Sequence, residues 1–132
     1  MKSNLDVMYK NNPVLEKEGI EFIVSEKISF TVRRWMGLHS FEVKKKLAHK
    51  HSPFVRQIEA GTLSEEKSKE IIISLFVDTC VVSWKGVEID GVEKEFNRDD
   101  CIKLFTSLPD LCDSLLAYAS DTKNYREELG NS

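Results

Sequence analysis

The chain has 132 residues, 41% hydrophobic and 31% charged, a size and balance that support one domain around a single core and exclude a disordered chain. With 19 Lys and Arg against 22 Asp and Glu, the formal net charge is −3 at pH 7, so bulk electrostatics give no argument for nucleic acid. No apolar run approaches the roughly 18–20 residues that cross a bilayer, and MKSNLDVMYKNNP lacks the apolar centre of a signal peptide. Cys80, Cys101 and Cys112 are odd in number and widely spaced, which suits free thiols in a reducing compartment better than a disulfide framework. The same spacing, with His39, His49 and His51 far from the cysteines, argues against structural zinc.

Residues 1–18, with Asn11-Asn12-Pro13 and many polar side chains, are expected to form a flexible N-terminal arm. From Gly19 the pattern changes. Ile20, Phe22 and Val24 alternate with polar or small neighbours, and Ile28, Phe30 and Val32 alternate again after Ser25-Glu26-Lys27. Period-two alternation with β-branched and aromatic residues predicts two half-buried strands, hence a β-hairpin that must pack on something else to be stable. Gly37 ends the second strand, and Ser40 is placed to cap a helix through FEVKKKLAHKH until Ser52-Pro53 breaks it. A short segment, PFVRQIEAG, follows.

Thr62 and Glu65 have capping-box spacing and open the run EEKSKEIIISLFVDTCVVSW. Its β-branched content is ambiguous, but the upstream cap and the length predict one long central helix ending at Trp84, with Ile72, Leu75, Phe76, Cys80 and Ser83 along one stripe. The linker WKGVEIDGVEKEFNRDD carries the turn dipeptide Asp90-Gly91, and Asn97 is placed to cap a helix over RDDCIKLFTS. Ser107 and Asp110 repeat the capping-box spacing, with Pro109 acceptable in a first helical turn. Leu108, Leu111, Cys112, Leu115, Leu116 and Ala119 then form the clearest helical stripe in the chain. The expected architecture is a single α+β domain over 19–121, an N-terminal β-hairpin packed against about four helices, followed by a polar tail at 122–132.

Three features offer chemistry. Asp90, Glu93, Glu95, Asn97, Asp99 and Asp100 are oxygen donors, but the positions that an EF-hand loop requires do not match, and a solvated turn accounts for the linker. Arg33, Arg34, Lys44, Lys45, Lys46, Lys50 and Arg56 face only Glu42 as a local acid, which suits phosphates or an acidic partner. The competing reading is a solvated helix face, and no nucleic-acid recognition motif accompanies the cluster. No nucleophile elbow, metalloprotease, P-loop or dinucleotide motif occurs, so no catalytic residue, metal ligand or cofactor site is assigned and an enzyme is not expected.

A helix-forming run up to Trp84, then KGVEIDGVEKEF, then NRDDCIKLFTSLPDLCDSLLAYASD resembles the tail assembly chaperones of long-tailed bacteriophages, and GIEFIVSEKISFTVRR is similar to that family's opening strands. The long polar arm before Gly19 and the stretch KKKLAHKH depart from the pattern. The resemblance implies a non-enzymatic protein of the infected host cytoplasm that binds the tape measure protein, helps recruit tail tube protein, forms homo-oligomers and leaves the finished tail. A chaperone for apolar helices needs an exposed apolar patch, for which Trp35 and Met36 beside Arg33 and Arg34 are the candidate partner-binding residues, together with any uncovered face of Ile71–Val82, with core packing as the competing role for each. The alternative is a small nucleic-acid-binding regulator that uses the Arg33–Arg56 segment.

Overall fold

In the computed structural model, which describes residues 3–35, 45, 57 and 60–126, the chain is built around strand β2 (Ser29–Val32). It lies between β1 (Ile20–Ile23) and β3 (Val81–Lys85) in an antiparallel sheet of order β1-β2-β3. Phe22, Phe30 and Trp84 share one register position, as do Ile20, Val32 and Val81, so a single face collects the large apolar side chains. A β-bulge between Thr31 and Val32 lets Val82 drop out of register and reach solvent. The opposite face is polar: Ser29 Oγ donates to the Glu21 carboxylate at 3.2 Å, and Lys85 Nζ lies 3.8 Å from it.

Helix α3 (Glu65–Thr79) packs on the apolar face, followed after β3 by α4 (Arg98–Ser107) and α5 (Pro109–Ser120). With α1 (Asn4–Tyr9) and α2 (Pro13–Glu18), five α-helices and a small sheet form one α+β domain among the described residues, and the N-terminal hairpin packs on helices as its alternation requires. Phe30, Phe76 and Phe105 meet at its centre, with ring centroids 6.0 Å apart for Phe30–Phe105 and 6.2 Å for Phe76–Phe105. Such rings each remove roughly 150–250 Å² from water and dominate the core's stabilisation. Cys80, Cys101 and Cys112 are free and buried among them.

Three sequence expectations are corrected. The helix expected to run to Trp84 stops at Thr79, whose hydroxyl donates back to Leu75 O at 2.6 Å, and Val81–Lys85 becomes the third strand of the sheet. Its cap is Ser64, which accepts from Lys67 N, rather than Thr62; its buried stripe is Ile71, Leu75, Phe76, Val77 and Thr79, with Ile72 exposed. The capping box expected at Ser107 and Asp110 does not form, since α5 starts from Leu108 with no side-chain cap. Asn97 does cap α4, accepting from Asp100 N at 2.9 Å. The helix expected over FEVKKKLAHKH and the segment PFVRQIEAG lie outside the described residues apart from Lys45 and Gln57, both helical, and Ala60 and Gly61, which form a turn.

The linker makes a second, two-stranded sheet, β4 (Glu88–Ile89) with β5 (Val92–Glu93). Asp90 at φ 55° and Gly91 at φ 79° turn it, a left-handed pair that an Asp-Gly dipeptide adopts at low cost. Trp84 joins the two sheets: its indole N–H donates to Lys94 O at 2.8 Å, and its ring meets Phe96 edge-on. Across α3 and α4, Arg98 grips Asp78 with Nε at 2.5 Å from Oδ1 and Nη2 at 3.3 Å from Oδ2, and reaches Ser74 Oγ at 3.3 Å.

Candidate functional site

The chain leaving β2 carries the residues singled out for partner binding, and the structure uses three of them to tie elements together. Arg33 N donates to Cys80 O at 2.8 Å and Trp35 N to Ala119 O at 2.9 Å, stitching the strand end to the C-terminal ends of α3 and α5. Arg33 Nε donates to Lys17 O in the last turn of α2 at 2.6 Å, where helix carbonyls lack intrahelical donors. Arg34 Nη1 pairs with Glu16 Oε1, with the two side chains 19% and 3% exposed. Arg34 Nε is buried with no hydrogen-bond partner among the described residues. The Trp35 ring meets Phe76 edge-on at 5.9 Å and is half-buried, so packing accounts for much of its surface. Met36 lies outside the described residues.

The same junction receives the end of the described chain. A 3₁₀ turn, Thr122–Tyr125, places Tyr125 at 0% exposure with its hydroxyl donating to Val32 O at 3.1 Å. Burial pushes the Tyr125 phenol up from its ordinary range, and the Cys80 thiol is pushed up to about 11 by the same cause. Cys101 is raised to about 12 and Cys112 to about 11, burial again being the first cause. A thiol that holds its proton to that extent is a packing group and a poor nucleophile at neutral pH. Asn12 N donates to Tyr125 O at 2.7 Å, Asn11 bridges Arg126, and the Arg126 guanidinium lies 4.7 Å from the Tyr9 ring centroid. Segments 3–18 and 122–126, expected as arm and tail, therefore meet across the strand end.

Large exposed apolar side chains are carried by other elements. Leu5, Val7, Met8, Tyr9 and Val14 are 55–63% exposed, and Ile23, Val24 and Val92 add apolar surface at the end of β1 and the tip of the β4–β5 hairpin. Two signals marked that N-terminal structure in the sequence. Ser3-x-x-Asp6 is a capping box, which forms, and Asn12-Pro13 supplies a cap followed by a first-turn proline. Both open helices within the segment expected as an arm. The basic segment's remaining cations, Lys45 excepted, lie outside the described residues, and Arg33 and Arg34 point inward onto Lys17 and Glu16. Among the described residues, no group of three or more His, Cys, Asp or Glu side chains is placed to hold a metal ion, and no helix is long and apolar enough to cross a membrane.

Residues 38–131 match the family described as YdaY prophage protein. The chain belongs to that family. It is accordingly a phage-related protein, and the matched segment contains α3, β3, the β4–β5 hairpin, α4 and α5. The first thirty-seven residues, with α1, α2, β1 and β2, lie outside the match, although β2 is the middle strand of the sheet. No curated protein and no solved structure shows a significant match.

Proposed function

We propose that this YdaY-family protein is a tail assembly chaperone, a non-enzymatic binding module that holds the tape measure protein soluble in the host cytoplasm and helps recruit tail tube subunits. The observation that carries this reading is the skeleton of the segment that resembles such chaperones. Within a prophage-family match, Asp90-Gly91 turns a short hairpin, Phe96 precedes an Asn97-capped helix, and Pro109 opens a further helix. Trp84 sits on a strand and not at a helix end, yet it anchors the hairpin and so keeps the spacing of the motif fixed. The exposed apolar side chains of α1 and α2 are of the chemistry that a chaperone for long apolar helices requires.

The test is co-expression with the tape measure protein of the same prophage, reading its soluble fraction with and without this chain. A rise in soluble tape measure protein and its co-purification are expected. Equal solubility in both arms sinks the proposal. A second measurement, gel shift of DNA and RNA at low salt, addresses the nucleic-acid alternative, which would show an affinity falling steeply as salt rises.

A further inference from the structure

The contacts that hold residues 3–18 against the rest of the molecule differ in kind from those that hold the core. No side chain of α1 is buried, and Glu16 is the buried residue of α2. The hydrophobic cluster and the partly buried residues packed on it begin at Ile20 and include nothing from the segment before it. The directional contacts that hold the segment, among the described residues, are polar or cation–π, beside one half-buried apolar side chain, Leu15. They include Glu16 on Arg34, Lys17 O receiving Arg33, Asn12 N donating to Tyr125 O, Asn11 bridging Arg126, and Tyr9 beside Arg126.

The joint to the sheet is a single residue. Gly19 has φ +91°, and a Cβ there would lie 2.9 Å from Val32 O, so only glycine lets the segment turn so close to the strand end. The receiving surface, by contrast, is fixed from within. Tyr125 is fully buried, and Arg33 and Trp35 are pinned by main-chain bonds to Cys80 and Ala119. Removing the segment would strip polar contacts and leave the hydrophobic cluster, to which it contributes no residue, packed on itself.

We infer that residues 3–18 form a strap that opens as a unit on the folded core, hinged at Gly19 and fastened by the Glu16–Arg34 pair. Opening takes the Glu16 carboxylate from Arg34 and the Asn12 amide from Tyr125 O, leaving both without those partners. It also carries Leu5, Val7, Met8, Tyr9 and Val14 away together on one short segment. Local opening of this kind is the expected behaviour of a segment with few buried apolar contacts.

Amide hydrogen exchange on the full chain, resolved by peptide, tests this. Residues 4–18 are expected to exchange at least about a hundredfold faster than residues 29–32 and 81–85, because the strap opens without the sheet. Arg34→Met should speed exchange in 4–18 by about tenfold or more and leave the sheet unchanged. Glu16→Gln, which alters the strap and not the core, should do the same and serves should Arg34→Met fail to fold. Equal exchange of strap and sheet in the native chain would overturn the inference. So would a Glu16→Gln variant in which strap and sheet accelerate in proportion, or in which the strap does not change at all.

Discussion

Residues 13–18 and residues 122–126 reach the end of β2 from opposite ends of the described chain and are held there by opposite means. The C-terminal turn drives Tyr125 into the core, where ring burial provides the attraction and the hydroxyl finds Val32 O. The N-terminal segment presents Glu16 to Arg34 and takes main-chain bonds at Lys17 and Asn12. Burial of a ring is favourable in itself and needs no exact orientation. A charge pair taken from water recovers its desolvation cost only while its geometry holds. The difference teaches that two segments of similar length at one junction can belong to different cooperative units.

Breaking the stronger side of this comparison gives the largest effect. Tyr125→Ala removes a fully buried ring and should cost about 3–5 kcal/mol of unfolding free energy, measured by urea titration. A loss comparable to a surface substitution would mean that Tyr125 is no anchor. Alkaline pH comes next. The thiols of Cys80, Cys101 and Cys112 keep their protons in the folded chain to about 11, 12 and 11, against an ordinary 9.0, and Tyr125 is shifted in the same direction. The unfolded chain then binds fewer protons than the folded one above pH 9, so the stability these groups confer is complete below that value and is lost as pH rises through their folded values. Urea midpoints should be insensitive to pH between 7 and about 9 from this cause and fall steadily above it, and thiol reagents should react with the folded chain far more slowly than with the unfolded one.

Tyr125→Phe sharpens the comparison further. It keeps the ring and deletes the bond to Val32 O, so it should cost about 1 kcal/mol, which separates the hydroxyl's share from the ring's. The smallest effect belongs to the other side. Val7→Ser on the exposed face of α1 should change the unfolding free energy by no more than about 0.5 kcal/mol. A larger loss would show that α1 is packed on something and belongs to the core's cooperative unit.

Much of the sheet and both C-terminal helices were legible because their patterns are local. Alternation at Ile20–Val24 and Ile28–Val32 needs a single buried face, and the Leu111–Ala119 stripe needs one helix period. The change from helix to strand at Thr79–Val81 was not legible. No glycine or proline marks it, and what ends the helix is Val81 and Trp84 finding Val32 and Phe30 far away in sequence. Tertiary pairing decided that boundary over a run whose local signal suits either state. The site fared in the same way. Arg33, Arg34 and Trp35 stood out as a charged and aromatic group, but their partners come from two distant stretches, Glu16 and Lys17 in α2 and Phe76 in α3, and no spacing rule links them. Tyr125 lay in a polar tail whose composition gave no sign of a buried ring.

The placement of β2 has a consequence for how the chain is cut. A fragment beginning at residue 38, where the family match begins, would retain β3 but lose the strand that satisfies its backbone on one side. Val81 and Trp84 would then line an unpaired edge, a template for strand-to-strand association between copies. Such a fragment is expected to aggregate to larger sizes than the full chain in light-scattering measurements, because the strand that guards its sheet lies outside the matched segment.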